Sequence, residues 1–203
     1  MARSSMVTSG ALTVKEGPTV EPLTVDEVKE HSRIVLASPE DDSLIPRLIR
    51  VARMDCEAFQ RRTYITTTYE LALPSFRRII HLPRPPLQSV ERVSYRKADG
   101  SEEDLTEDTD FFVDDRSEPA RIILARDYIT PNIYDMHPVL PVLIEYKAGY
   151  GLANSVPDSI KQAMLLQIAH LYENREIFVE GGDGDEVYSG VKALLWKDRV
   201  MLA

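Results

Sequence analysis

The stretch that decides the fold runs from Ser155 to Glu176 and reads "SVPDSIKQAMLLQIAHLYENRE". Ser155 and Asp158 bracket Pro157 as a helix cap would. Ile160, Ala163, Met164, Leu165, Leu166, Ile168, Ala169 and Leu171 then make residues 158–172 apolar nearly all round, which requires cover on more than one side. In a chain of 203 residues that cover comes from other helices of the chain, or in part from another subunit.

Suitable helices lie on either side. In "LTVDEVKEHSRI", Thr24 is placed to cap a helix with Glu27 reaching back as in a capping box, and Leu23 and Val28 sit where a hydrophobic staple would. In "SPEDDSLIPRLIRVARMDCEAFQRR", Ser38 is the expected cap, Pro39 the first-turn residue, and the acids at 40–42 suit the helix dipole. Ile45, Leu48, Ala52, Cys56 and Phe59 then mark one buried stripe, with Pro46 early enough to be tolerated. Downstream, "VYSGVKALLWKDRVML" offers a last helix with Val187, Val191, Leu194 and Leu195 aligned.

Between these helices, over 63–150, the period changes to two. "TYITTTYELAL" alternates and is rich in β-branched and aromatic residues, as a strand requires. "RRIIHLP" is short and stopped by "RPPL". "SVERVSYRKADGSEEDL" reads as a hairpin turning at Asp99-Gly100. "DFFVDD", "ARIILA" and "VLIEYKAGYG" complete an antiparallel set. Helices on both sides of a β block must meet to bury their stripes. The expected fold class is therefore α+β: a small helical bundle from residues 23–62 and 151–203, with an antiparallel β subdomain inserted at 63–150. Residues 1–22, small and polar with Gly and Pro, read as a mobile leader without the apolar core of a secretory signal.

Bulk properties narrow the function. Hydrophobic residues make up 43% and charged residues 28% of the chain, an ordinary globular balance. Lys plus Arg number 24 against 33 Asp plus Glu, a net charge of −9, so the chain has no cationic surplus with which to wrap a phosphate backbone. It suits a protein that nucleic acid passes without sticking. The single Cys56 excludes an internal disulfide and a Cys-rich zinc site. No apolar run reaches the roughly 20 residues of a membrane span.

The candidate sites each have a plainer reading. His170 and Glu173 share a helix face, but Glu176 is six residues from His170 and rotated by about 240° at about 100° per residue, so the three do not converge on a metal. The remaining histidines, His31, His81 and His137, have no paired spacing. Cys56 lies on an apolar stripe, where a free cysteine packs as a small hydrophobe rather than acting as a nucleophile. "EGGDGDE" (180–186), with Asp183, Asp185 and Glu186, lacks the alternating ligands of a calcium loop and reads as a flexible acidic connection. "RPPL" (84–87) reads as a fixed turn rather than a polyproline ligand. No phosphate loop, nucleophile elbow or carboxylate pair appears. The expectation is a non-enzymatic protein without metal or cofactor. The alternatives are a small binding module whose β insertion recognises a peptide or glycan, and a metal-dependent hydrolase using His170.

The order "LPRPPLQSVERVSY", "SEPARI", "IEYKAGYG" and "VPDSIKQAMLLQIAHLYENRE", with "LTVDEVKEHSRI" and "DDSLIPRLIRVARMDCEAF" before it, resembles the head–tail connector family of tailed bacteriophages. The likeness spans about Leu23 to Leu195 and is closest to members with a β insertion between the helical halves. It implies a structural part of the virion, present in the host cytoplasm during assembly. It also implies a cyclic ring of identical subunits, a dodecamer when assembled, with three partners: the portal protein, a downstream neck or tail-completion protein, and genomic DNA passing through without specific binding. The last helix and its preceding loop would serve in docking, with Trp196 as an apolar anchor. Tyr172, Glu173, Arg175 and Glu176 at the polar end of the long helix are the other expected interface residues, with Arg175 pairing to Glu173 or Glu176.

Overall fold

The computed structural model describes residues 10–32, 39–173 and 184–201. The class is α+β, and the chain forms two compact units. One contains Thr66–Gly149 and is joined by the described residues before Pro18; the other contains Pro18–Ile65 and Tyr150–Val200.

The first unit is built of β1 (Ala11–Glu16), β2 (Thr67–Leu73), β3 (Ile79–His81), β4 (Leu87–Arg96), β5 (Glu102–Asp104), β6 (Phe111–Asp114), β7 (Arg121–Leu124) and β8 (Val142–Ala148). They form a five-stranded sheet of order β1-β2-β8-β4-β5 and a three-stranded sheet of order β3-β7-β6, with every strand ladder antiparallel. Period-2 alternation decides which face is inside. Tyr69, Leu71 and Leu73 of β2, Val93 and Tyr95 of β4, and Val142, Ile144 and Tyr146 of β8 join Ile80, Phe111, Ile122 and Leu124 of the smaller sheet in one apolar core. Tyr69 and Tyr146 stack there with ring centroids 5.7 Å apart. Gly100 turns the β4–β5 hairpin at φ +89°, and Asp99 accepts hydrogen bonds from the backbone and hydroxyl of Ser101.

Strand β1 corrects the reading of residues 1–22 as a mobile leader. Ala11–Glu16 pairs with β2, although its side chains are mostly exposed and only Leu12 packs on the core. The strand is held by the open backbone edge of β2 and by Lys15, which reaches Glu145 at 2.8 Å and Glu70 at 3.4 Å. Gly10 precedes it against the Ala72 carbonyl, where an added Cβ would come within 2.6 Å. Residues 18–22 belong to the other unit: Pro22 is buried and Glu21 pairs with Arg53. Residues 1–9 of the expected leader lie outside the described residues.

The second unit holds α1 (Val25–His31), α2 (Pro39–Gln60), α3 (Asp158–Glu173) and α4 (Gly184–Trp196). The capping box of α1 forms as expected: the Glu27 carboxylate accepts from the Thr24 N–H at 2.6 Å, and Thr24 Oγ1 accepts from the Glu27 N–H at 3.2 Å. Leu23 and Val28 beside it are buried. Helix α2 begins at Pro39; the expected cap Ser38 lies outside the described residues. Its buried side chains are Ile45, Ile49, Ala52, Arg53, Cys56 and Gln60, while Leu48 and Phe59 are half-buried. The stripe is thus turned by a fraction of a residue from the expected one, because the helix buries a polar end, Gln60, along with its apolar face.

Helix α3 is covered by the chain itself only in part. It buries Ile160, Ala163, Met164, Gln167 and Ile168 along one face, while Leu165, Leu166, Ala169, Leu171 and Tyr172 are only half-buried. Helix α4 starts at Gly184, so Asp185 and Glu186 of the expected acidic loop are helical; residues 180–183 of that loop lie outside the described residues. Val191 and Leu195 are buried. Leu194, expected with them, is 37% exposed, because it sits about 100° round the helix from Leu195.

Candidate functional site

Helices α2 and α4 are joined by a polar clamp at their C-terminal ends. Gln60 is fully buried; its Nε2 donates to the Leu195 carbonyl at 2.7 Å, and its Oε1 accepts from the Tyr64 hydroxyl at 2.7 Å. The Leu195 carbonyl is one of those a helix end leaves without an internal partner. The Gln60 carbonyl in turn accepts from the Val200 N–H at 3.0 Å, and the Arg62 guanidinium donates to the Asp198 carbonyl. Burial raises the pKa of the Tyr64 hydroxyl, which keeps it a donor. The chain after α4 is therefore pinned to the end of α2.

Trp196 stands at this clamp. It is 57% exposed and lies 6.3 Å from Phe59, centroid to centroid, with the rings tilted by 50°. The Arg199 guanidinium covers both rings, at 4.8 Å from Phe59 and 5.2 Å from Trp196. Such a cation–aromatic stack holds a large apolar side chain rigid while leaving much of its surface available. Beside it, Asp55, Cys56, Phe59, Gln167, Val191 and Leu195 line a cavity of about 220 Å³.

Cys56 behaves as a packing group. Its Sγ lies 3.3 Å from Gln167 Oε1. Burial, with Asp55 and Glu57 nearby, pushes its thiol pKa up to about 12, the opposite of an activated nucleophile. Gln167 also donates to Asp55 at 3.0 Å. Arg53 is tied to Glu21 at 2.7 Å and to Glu57 at 2.9 Å. Burial works to lower the pKa of Arg53, but the two carboxylates outweigh it and hold the value above the ordinary one.

Of the five expected interface residues, Tyr172 and Glu173 end α3, half-buried and exposed respectively. Arg175 and Glu176 lie outside the described residues, and with them the expected pairing of Arg175. Trp196 is on another helix, in the aromatic stack. Among the described residues no group of three or more His, Cys, Asp or Glu side chains is placed to hold a metal ion, and no helix is long and apolar enough to cross a membrane.

The solvent face of the five-stranded sheet carries charges. Arg92 on β4 bonds Asp104 at 2.6 Å and Glu102 at 2.9 Å on β5; Arg96 also reaches Glu102 at 3.4 Å, and Lys147 on β8 reaches Glu91 at 3.2 Å. With the Lys15 pairs they make a cross-strand lattice rather than the aromatic platform a peptide- or glycan-binding sheet would present. "RPPL" is a turn between β3 and β4, with Arg84 at φ +64° and a cis Pro85–Pro86 bond. In the β6–β7 turn, Asp114 accepts from Ser117 Oγ at 2.7 Å and from Arg121; these donors hold its carboxyl down at about 2.

Gln60, Gln167, Arg53 and Lys15 escaped the sequence reading. Gln60 alone left a trace there: it continues the 45, 49, 52, 56 spacing as a polar residue in an apolar stripe.

No protein-family model and no curated protein matches the chain. Solved structures do. A chain from the neck of an empty GTA particle computed with C6 symmetry superposes with a TM-score of 0.76 at 23% identity, covering 95% of this chain and 97% of that one. A chain from the virion of a native gene transfer agent (GTA) particle gives 0.75 at 23% identity, covering 95% and 96%. A chain from the neck of a native GTA particle computed with C12 symmetry gives 0.70 at 22%, covering 94% and 97%. The fold is thus that of chains found in the necks and virions of these particles, over almost the whole length of both partners.

Proposed function

We infer that this chain is a structural, non-enzymatic neck subunit of a phage-like virion, a head–tail connector. Copies of it assemble into a closed ring beneath the portal and leave a channel for DNA. The observation that carries the reading is the end-to-end likeness of fold to chains from particle necks of sixfold and twelvefold symmetry. With coverage of 94–95% of this chain and 97% of the neck chains, the likeness runs through both the helices and the sheets rather than through one of them. The dodecamer that the sequence resemblance implies is compatible with necks computed with C6 and with C12 symmetry.

Three features of the chain support the same reading. Helix α3 leaves an apolar flank half-covered, as an element completed by another subunit would. Trp196, stacked and more than half exposed, is the kind of rigid aromatic that anchors an interface. The net charge of −9 favours DNA sliding past over DNA binding. In this reading Tyr172, Glu173, Arg175, Glu176 and Trp196 contribute to contacts with neighbouring subunits or the portal, and a downstream neck protein binds the opposite side of the ring.

The test is electron microscopy of portal rings from the same genome, with and without this protein. A second coaxial ring of density is the expected result, and its symmetry counts the subunits. Bare portals at saturating protein would overturn the reading.

A further inference from the structure

The helical unit carries two exposed faces of opposite character. On α2, Arg47, Arg50, Val51, Met54 and Ala58 recur at helical spacing and all are exposed; Val51 is 39% and Met54 60% exposed. Among the described residues no ion pair holds Arg47 or Arg50. This is an apolar stripe with cationic flanks on a chain whose net charge is −9. The second face is a groove of about 420 Å³ between α1 and α3. Leu23 and Leu165 supply its apolar surface, and Glu27, Glu30 and Asp158 its carboxylates. Lys161 lies near Glu27 and offsets one of the three. Glu30 and Asp158 are exposed and, among the described residues, enter no ion pair.

A ring closed by rotation is heterologous: each subunit must offer two different surfaces, each fitting the other and not itself. An apolar stripe flanked by arginines and an apolar groove flanked by carboxylates meet that demand in charge and in hydrophobicity. Each is unfavourable against a copy of itself, because like charges would face each other. We propose that the outer face of α2 in one subunit docks into the α1–α3 groove of the next copy of the same chain. Arg47 and Arg50 then face Glu30 and Asp158, and Val51 and Met54 cover Leu165. The proposal rests on the ring reading above and specifies which faces make the ring.

Charge reversal tests it in a way that separates the two claims. R47E/R50E and E30R/D158R are each produced alone and together, with the portal protein of the same genome present, and rings are counted by electron microscopy and native mass spectrometry. Circular dichroism checks that each variant folds, and R47Q/R50Q, which removes charge without reversing it, stands in if a reversal does not. The expected result is that each reversed variant alone loses rings at least about tenfold. Their equimolar mixture restores them, because only alternating subunits then present opposite charges at every contact. The quadruple variant, reversed on both faces, also forms rings. If wild-type rings form and either reversed variant assembles as well as wild type, the assignment of faces is overturned while the ring reading stands. Failure of the mixture to restore rings overturns it too. If the wild type itself forms no ring, with or without the portal, the ring reading fails and the inference with it.

Discussion

The two units finish their surfaces differently. On the solvent face of the five-stranded sheet, cations and carboxylates are matched within the unit: Lys15 with Glu70 and Glu145, Arg92 with Glu102 and Asp104, Lys147 with Glu91. On the helical unit, Arg47 and Arg50 flank exposed Val51 and Met54, and Trp196 is more than half exposed. A face whose charges are already paired gains little by docking, since binding would exchange existing contacts for similar ones. A face with unpaired cations around apolar side chains gains both hydrophobic burial and new ion pairs. The contrast teaches where to look for assembly: on the helices.

The largest expected effects break each unit from inside. Ile144 is fully buried on the central strand β8, and Ile168 is fully buried on α3. Truncating either to Ala should cost about 3–4 kcal/mol in urea unfolding, through lost transfer energy and the cavity left behind. A loss below about 1 kcal/mol would mean that the unit concerned is not organised around that residue. Gln60→Ala comes next. It strips partners from the Tyr64 hydroxyl and the Leu195 carbonyl, both buried by the clamp, at a cost of about 2 kcal/mol. It should also speed hydrogen exchange of the Val200 amide, and unchanged exchange there would break the link between clamp and C-terminus.

Thr24→Ala removes the side-chain half of the capping box and should cost about 1 kcal/mol. The smallest effect sharpens the contrast between surfaces. Arg92→Met on the sheet should change stability by less than about 1 kcal/mol, the usual worth of exposed pairs, and should leave ring assembly untouched. Loss of rings in that variant would place an interface on the sheet face instead. The Asp114 carboxyl tests a paired group by titration. Its folded value, about 2, lies below the ordinary carboxylate value because Arg121 and Ser117 donate to it. The stability it contributes is therefore complete above about pH 4 and is lost as pH falls from about 4 to about 2. Carboxyl-carbon NMR should show its midpoint near the low end, and a midpoint near 4 would dissolve the pairing.

Much of this was legible in order and period. Thr24 with Glu27, Pro39, the alternation of "TYELAL" and the Asp99-Gly100 turn are local signals, and the elements they announce formed where expected. The candidate interface was legible only in part. Tyr172, Glu173 and Trp196 stood out as polar or aromatic ends of apolar helices. Arg47, Arg50 and the groove acids did not, because nothing in a linear charge pattern tells which arginines find an internal partner. Arg53 pairs and, among the described residues, Arg47 enters no ion pair, yet both sit on the same helix.

What the sequence by itself determined is the type and succession of elements: helices, then strands, then helices. Short-range forces govern those choices, through capping, turn geometry and the phase of apolar residues within a few positions. Tertiary structure alone decided that Ala11–Glu16 becomes an edge strand, that Gln60 closes α4 onto α2, and that α3 is covered on one face only. The first two depend on partners at least 52 positions away in the chain, whose open backbone edge or free carbonyl exists only once the rest has folded.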